Sequence, residues 1–277
     1  MMEDPVLHVF AQDFMNMSGN SKVKIRTRIE RFFESIYDIS QFILRYFKEF
    51  FNGPFETQEL LKQCYNIGYR SLSLITVTAF ITGFVFTKQS RPSLAEFGAT
   101  SWIPSLVGIA IVRALAPLVT ALICAGKVGS SVGAEIGSMK VTEQIDAMEV
   151  SATNPFKYLV FTRVTASSLM LPVLTMYTGF IALFGAFVNV STNELTSFQT
   201  FFLNAFEKIT FLDICSSVVR ALAFGFTIGM VGCYKGYHAS QGTVGVGRAA
   251  NSAVVVSMFL IFIEEIIIVQ IVNSLRI

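Results

Sequence analysis

The sequence predicts an all-α integral membrane protein, an N-terminal interfacial amphipathic helix followed by five transmembrane helices. Three observations carry this. Of the 277 residues, 53% are hydrophobic and only 14% charged, where a soluble domain usually carries about a quarter charged residues. Phenylalanine occurs 27 times and tryptophan once. Five stretches, near 65–87, 102–125, 160–190, 214–234 and 252–275, reach the length of about 20 mostly apolar residues that crosses a bilayer core.

The elements follow in chain order. Residues 1–24 read as a cytoplasmic tail, and Met1–Pro5 lacks the basic start and apolar run of a cleaved signal, so the N-terminus is expected to be retained. Residues 25–51 form the amphipathic helix. Ile29, Phe32, Phe33, Ile36, Ile43, Phe47 and Phe50 recur at helical spacing, with Arg26, Arg28, Arg31, Glu34, Arg45, Lys48 and Glu49 between them. Residues 60–277 form the five-span domain, with a long cytoplasmic loop at 126–158. The third span carries Pro172 and Gly179, so a kink or tilt is expected there. The stretch 191–213, rich in phenylalanine, reads as a short interfacial helix on the outer side.

Basic residues set the orientation. Eight lie in 1–64 and four in 126–163, and Lys235 and Arg248 fall in the fourth loop; the other side has Lys88, Arg91, Lys208 and Arg276. That excess puts the N-terminus and the 126–158 loop in the cytoplasm and the C-terminus on the opposite side.

No enzyme is legible. His8 and His238 have no acidic or cysteine neighbours at ligand spacing, so neither a catalytic nor a metal site is expected. Cys64, Cys124, Cys215 and Cys233 form no CxxC pair and read as buried free thiols. The glycines of 126–133 lack the order of a phosphate-binding loop, and the Gly245-x-Gly247-x-x-Ala250 run follows no strand. Glycine in these places suits close helix packing and tight turns.

The loop 133–154 is the informative segment. Thr142 can cap a helix whose first turn holds Glu143 and Asp146, favourable against the helix dipole. Ile136, Met139, Ile145 and Met148 give it an apolar face. Such a helix, presented between two spans, suits docking onto a soluble partner.

The run from Ala125 to Pro155, A-G-K-V-G-S-S-V-G-A-E-I-G-S-M-K-V-T-E-Q-I-D-A-M-E-V-S-A-T-N-P, resembles the signature of the MlaE/Ycf63-type ABC transporter permeases. The resemblance extends over roughly 60–275, through Tyr65–Gly68, Arg113–Pro117, Arg163, Gly236-Tyr237 and Gly242–Ala250. It implies a homodimeric permease in the bacterial inner membrane that moves phospholipid or another membrane lipid. It also implies a cytoplasmic ABC ATPase that binds the ATP and Mg, none being bound by this chain; a periplasmic MCE-domain protein; and room for a small STAS-type accessory protein. No nucleic acid is expected. Glu135, Gly137, Met139, Lys140, Thr142, Glu143, Gln144, Ile145, Asp146, Met148 and Glu149 become the candidate coupling surface for the ATPase. Arg113, Leu115, Pro117, Phe80, Phe84, Glu264 and Glu265 become candidates for the lipid pathway. The family commonly reads R-E-L-G-P where this chain has Arg113-Ala114-Leu115-Ala116-Pro117, and often Q-G-Y where Lys88-Gln89-Ser90 stands.

An ionisable side chain near the bilayer centre costs roughly 2.5–3.5 kcal/mol to insert, so it normally faces protein or a wet cavity. Arg113 is therefore expected to meet an anionic headgroup or to pair with Glu264 or Glu265, while Arg70 and Arg220 can snorkel. The two glutamates are adjacent and about 100° apart around a helix, so they cannot both face one partner. A homodimer is expected because five helices without an internal repeat enclose no pathway alone. Two rival readings remain at this stage: a proton-coupled secondary transporter using Glu264 or Glu265, and a non-transporting scaffold.

Overall fold

The structure is a computed structural model describing residues 33–34, 36–51, 56–193 and 196–274. The predicted tail, the first part of the amphipathic helix from Arg26 to Phe32, and Arg276 lie outside the described residues. The chain divides into two units, Met1–Asn52 and Gly53–Ile277. In the first, helix α1 spans 36–51, and Ile36, Phe47, Phe50 and Phe51 stand exposed along it among the charged residues.

Among its described residues the second unit contains five helical runs long and apolar enough to cross a membrane: Thr57–Glu96, Thr100–Val141, Phe156–Asn193, Phe211–Tyr237 and Thr243–Ser274. All five agree with the predicted spans, and most run well past the predicted ends. The first comprises α2 (Thr57–Ile67), a 3₁₀ turn at Tyr69–Ser71, and α3 (Leu72–Glu96). Lys88 and Arg91 are thus helical rather than in a loop.

The second run comprises α4 (Ile103–Ala110), a π-helical segment Ile111–Leu115, α5 (Ala116–Cys124), a second π segment Ala125–Gly129, and α6 (Ser130–Val141). Its 42 residues extend about 60 Å at the rise of an α-helix, twice the hydrocarbon thickness. One end therefore projects beyond the bilayer core. Half of the expected 126–158 loop is this projecting helix. Of the two roles expected for these glycines, helix packing is the one taken: Gly129, Gly133 and Gly137, four residues apart, share one face. A Cβ at Gly133 would meet Ala250 and Ala253, and one at Gly137 would meet Ala239. Tertiary packing overrides the local preference of glycine for turns.

After α7 (Gln144–Val150), a π segment Phe156–Phe161 leads into α8 (Thr162–Asn193); then follow α9 (Phe198–Glu207), α10 (Phe211–Tyr237) and α11 (Thr243–Ser274). Lys235 closes α10, and Arg248 lies inside α11 rather than in a loop. Pro172 sits within α8, which runs through it uninterrupted. The two faces of the unit are named below by the short helices that mark them, the α7 end and the α9 end.

Helix α8 is the centre of the bundle. More than half of its apolar window is buried, 56%, against 17% for α11. Small residues bring the backbones together, as expected where apolar burial between helices gains little over lipid. A Cβ on Gly83 of α3 would collide with the Ala182 carbonyl of α8, and one on Gly185 with that of Phe80. Gly225 and Gly229 of α10 lie likewise against Ser167 and Val164. At the α9 end, Ile103, Val107 and Ile111 pack with Ala186, Phe201 and Ala205. Helix α9 is the short helix expected in 191–213, and Ser105 anchors it by donating to the Asn204 carbonyl at 2.8 Å.

All four cysteines are free. Cys124 and Cys233 are buried as predicted, Cys64 is half-buried, and Cys215 is exposed on α10. The turn spacing that buries Asp213 and Ser217 carries Cys215 to the outer face.

Candidate functional site

Charged residues of the second, fourth and fifth spans meet in one chain of contacts. The Arg113 guanidinium lies against Asp213 side-on, Nε 2.8 Å from Oδ1 and a terminal nitrogen donating to Oδ2 at 2.9 Å. Asp213 is fully buried. It also closes the first turn of α10, accepting from the Thr210 amide at 3.0 Å and hydroxyl at 2.8 Å, a capping box. One carboxylate thus caps a helix and neutralises a guanidinium. Arg220 donates to Glu265 at 2.8 Å and to the backbone carbonyl of Arg113 at 2.6 Å. The Thr227 hydroxyl donates to Glu264.

This corrects two expectations. Arg113 pairs with Asp213 rather than with Glu264 or Glu265, because Asp213 stands at the start of α10 where that span faces Arg113. Arg220 does not snorkel; its side chain is 6% exposed and bridges two spans. The adjacent glutamates do take different partners, Arg220 and Thr227, as their angular separation requires. Each keeps one buried oxygen without a hydrogen bond.

The π segments explain how these arginines are held. In an unbroken helix the carbonyl of Arg113 would accept from the amide of residue 117, but that residue is Pro117 and has no N–H. The helix widens over Ile111–Leu115, and the freed carbonyl is taken by Arg220. At the α7 end, Leu159 in the segment Phe156–Phe161 accepts from Arg163 at 3.0 Å. The same guanidinium donates to Glu135 at 2.7 Å. Side chains satisfy backbone groups that the bilayer cannot.

The other pathway candidates are placed separately. Pro117 is buried, and Leu115 packs on the apolar cluster at the α9 end. Phe80 and Phe84 stack with each other, and Phe80 meets Phe184 at a tilt, on the α3–α8 pair. An apolar cavity of about 180 Å³ is lined by Val112 and Ile214, the chain neighbours of Arg113 and Asp213, together with Met176, Gly179, Phe180 and Phe206.

At the α7 end the helix expected after Thr142 is present as α7, and it meets α6 at an elbow. Helix α6 stops at Val141, and Glu143 adopts a left-handed conformation, φ 57°. Thr142 does not cap α7; its hydroxyl turns back to the Ser138 carbonyl at 2.8 Å and closes α6. Two contacts lock the elbow: Ile145 is buried, and Lys140 pairs with Asp146 at 3.0 Å. Ile145 therefore cannot serve as an anchor for another protein, and Gly137 is likewise buried. Met139, Lys140 and Met148 are partly covered. Thr142, Glu143, Gln144, Asp146 and Glu149 are exposed, with Val150, which sequence reasoning missed, standing 89% exposed at the tip.

The family model of the permease MlaE matches residues 60–271, covering the elbow and the whole charged network. The chain belongs to the MlaE permease family. A probable ABC transporter permease protein of Rickettsia bellii is 36% identical over 247 residues, 89% of this chain and 95% of that one. Similarity extends to a protein so named from Synechocystis sp., 37% identical over 79% of this chain and 83% of its own length. The ycf63 permease protein of Pyropia yezoensis is 36% identical over 76% and 81%. The chain is thus a multi-pass membrane protein of an ABC-permease family, which implies that ATP is hydrolysed by a partner subunit.

Set beside the Arg-Glu-Leu-Gly-Pro pattern common in the MlaE family, the missing acid at Ala114 leaves no local charge for Arg113, and Asp213 supplies one from another span. Sequence reasoning missed Asp213 and Thr227, and read Arg220 as snorkelling where it bridges two spans. A signal existed for the first, since Thr210-Phe-Leu-Asp213 has the spacing of a capping box ahead of an apolar run.

Proposed function

We propose that this chain is the permease subunit of an ATP-driven lipid transporter, acting as a homodimer in the bacterial inner membrane with the α7 end in the cytoplasm. A cytoplasmic ABC ATPase, holding ATP and Mg, docks on the elbow. An MCE-domain protein exchanges phospholipid at the α9 end. The observation that carries this reading is the elbow itself: a short exposed helix locked onto the projecting end of the second span, the span that also bears Arg113. Movement of the ATPase against α7 would be passed along one helical run to the charged network, which a loose loop could not do. The network and the apolar cavity beside it offer charge for a headgroup and apolar surface for chains, and a two-fold partner would enclose them. The pairing of Glu265 with Arg220 and of Glu264 with Thr227 gives both glutamates structural partners, which weakens the proton-coupled alternative.

Reconstitution with the ATPase in vesicles carrying fluorescent phospholipid tests the reading. ATP-dependent redistribution of the lipid is the expected result. Hydrolysis that proceeds with no lipid movement, given the accessory proteins, would overturn it.

A further inference from the structure

A second polar site lies at the α7 end, apart from the charged network. The first and second spans each change character there. Helix α2, Thr-Gln-Glu-Leu-Leu-Lys-Gln-Cys-Tyr-Asn-Ile, is polar and amphipathic, while α3 begins an apolar run at Leu72. Likewise α5 is apolar and α6 carries Ser130, Ser131, Glu135 and Lys140. The two junctions face each other across a cavity of about 400 Å³ lined by Gln63, Arg70, Ser71, Lys127, Ser131 and Glu135. That volume falls within the range of about 300–1,000 Å³ typical of small-molecule sites.

The lining is built for an anion. Arg70 and Lys127 bring two positive charges, and Lys127 is fixed in place by donating to the Arg70 backbone carbonyl. The single carboxylate, Glu135, is already engaged by Arg163 at 2.7 Å. Ser71 is fully buried, and its hydroxyl, at the cavity wall, has no hydrogen-bond partner, a group that normally finds one. Tyr65 and Tyr69 stack at 5.0 Å beside the junction, where tyrosines typically mark the level of lipid headgroups.

We propose that this cavity binds a phosphate ester, the headgroup phosphate of a phospholipid in the leaflet at the α7 end, through Arg70, Lys127 and the Ser71 hydroxyl. The lipid identity of the ligand rests on the proposed transport function; the anion chemistry does not. Such a site would seat a lipid between the first two spans, within reach of the helix that carries α7.

Native mass spectrometry of the full-length chain, titrated with phosphatidylglycerol, reads the site directly. Arg70→Gln and Lys127→Gln should each weaken lipid retention about tenfold, as loss of a charge-assisted hydrogen bond does, and Ser71→Ala less. The paired variant Arg70→Lys with Lys127→Arg keeps both charges and should retain binding, which separates loss of the site from misfolding. Unchanged retention in all the glutamine variants would overturn the site. Displacement of the lipid by millimolar inorganic phosphate would overturn the lipid assignment and leave a soluble phosphate as the occupant. Vesicle transport is read separately: ATP-driven transport with unaltered lipid binding sinks this site alone, and charge-dependent binding without transport sinks the transport reading alone.

Discussion

Arg220 donates a 2.6 Å hydrogen bond to the backbone carbonyl of Arg113, the group that Pro117 leaves without an amide partner. Arginine and proline four residues apart in one span thus create a need that a third residue, on another span, meets. The same Arg220 nitrogen holds Glu265, so three spans are fastened at one guanidinium.

Removing that guanidinium strands a carboxylate and a carbonyl together. Arg220→Met is expected to cost about 3 kcal/mol or more, the range for breaking one partner of a buried pair, read as a lower melting temperature in detergent. Pro117→Ala restores an amide at 117 and should let the helix close over Arg113. In that background Arg220→Met should be less damaging than in the natural sequence. Additive losses would show that the carbonyl plays no part in holding Arg220.

Asp213 and Arg113 are unequal partners. The Asp213 side chain is wholly buried, whereas that of Arg113 is 33% exposed. Arg113→Ala strips a buried carboxylate of its guanidinium, with Thr210 still donating to it, while Asp213→Asn leaves a guanidinium that solvent or a headgroup can reach. The arginine variant should therefore be the less stable and should also impair transport. Adding Asp213→Asn to Arg113→Ala should recover stability by removing the stranded charge. Equal losses in the two single variants would refute this asymmetry.

Close helix crossings give a third expectation. A side chain at Gly83 meets the Ala182 backbone, which cannot move aside, whereas nothing lies within 4 Å of a Cβ at Gly247. Gly83→Val should abolish the folded protein in detergent, seen as aggregation on size exclusion. Gly247→Ala, inside α11, should leave it folded, since alanine is the better helix former by about 1 kcal/mol.

The spans were legible because length and hydropathy decide them, and the glycine-rich signature was legible as a family mark. Its structure was not. Spacing alone puts Gly129, Gly133 and Gly137 on one helical face, but that α10 and α11 lie against it is set by residues a hundred positions away. The spacing of Arg113 and Pro117 was visible, but which charge would answer it was not, since Asp213, Glu264 and Glu265 all stood on later spans. The elbow at Glu143 was legible in part: Thr142 marked a helix boundary, but glutamate rarely takes a left-handed conformation, so nothing local showed that Thr142 would close α6 rather than open α7.

The elbow carries the last prediction. Its exposed acids, Glu143 and Glu149, flank Asp146, which is held by Lys140, and together they make a negative surface on the side where basic residues otherwise prevail. If that surface sets the fit to a basic groove on the ATPase, reversing it should turn attraction into repulsion. Glu143→Lys with Glu149→Lys is the informative pair, because it leaves the Lys140–Asp146 contact and the burial of Ile145 untouched. Lysine at 143 also meets the same left-handed strain as glutamate, so the elbow should persist. Affinity for the ATPase should fall roughly tenfold or more, as for charge reversal at an interface, with membrane insertion unchanged. Lys140→Ala tests the other possibility, that rigidity matters and charge does not. It frees α7 while keeping the acids, so it should leave docking largely intact and loosen the link between ATP hydrolysis and lipid movement. Docking that survives the lysine pair, measured by co-purification, would place the ATPase contact away from α7.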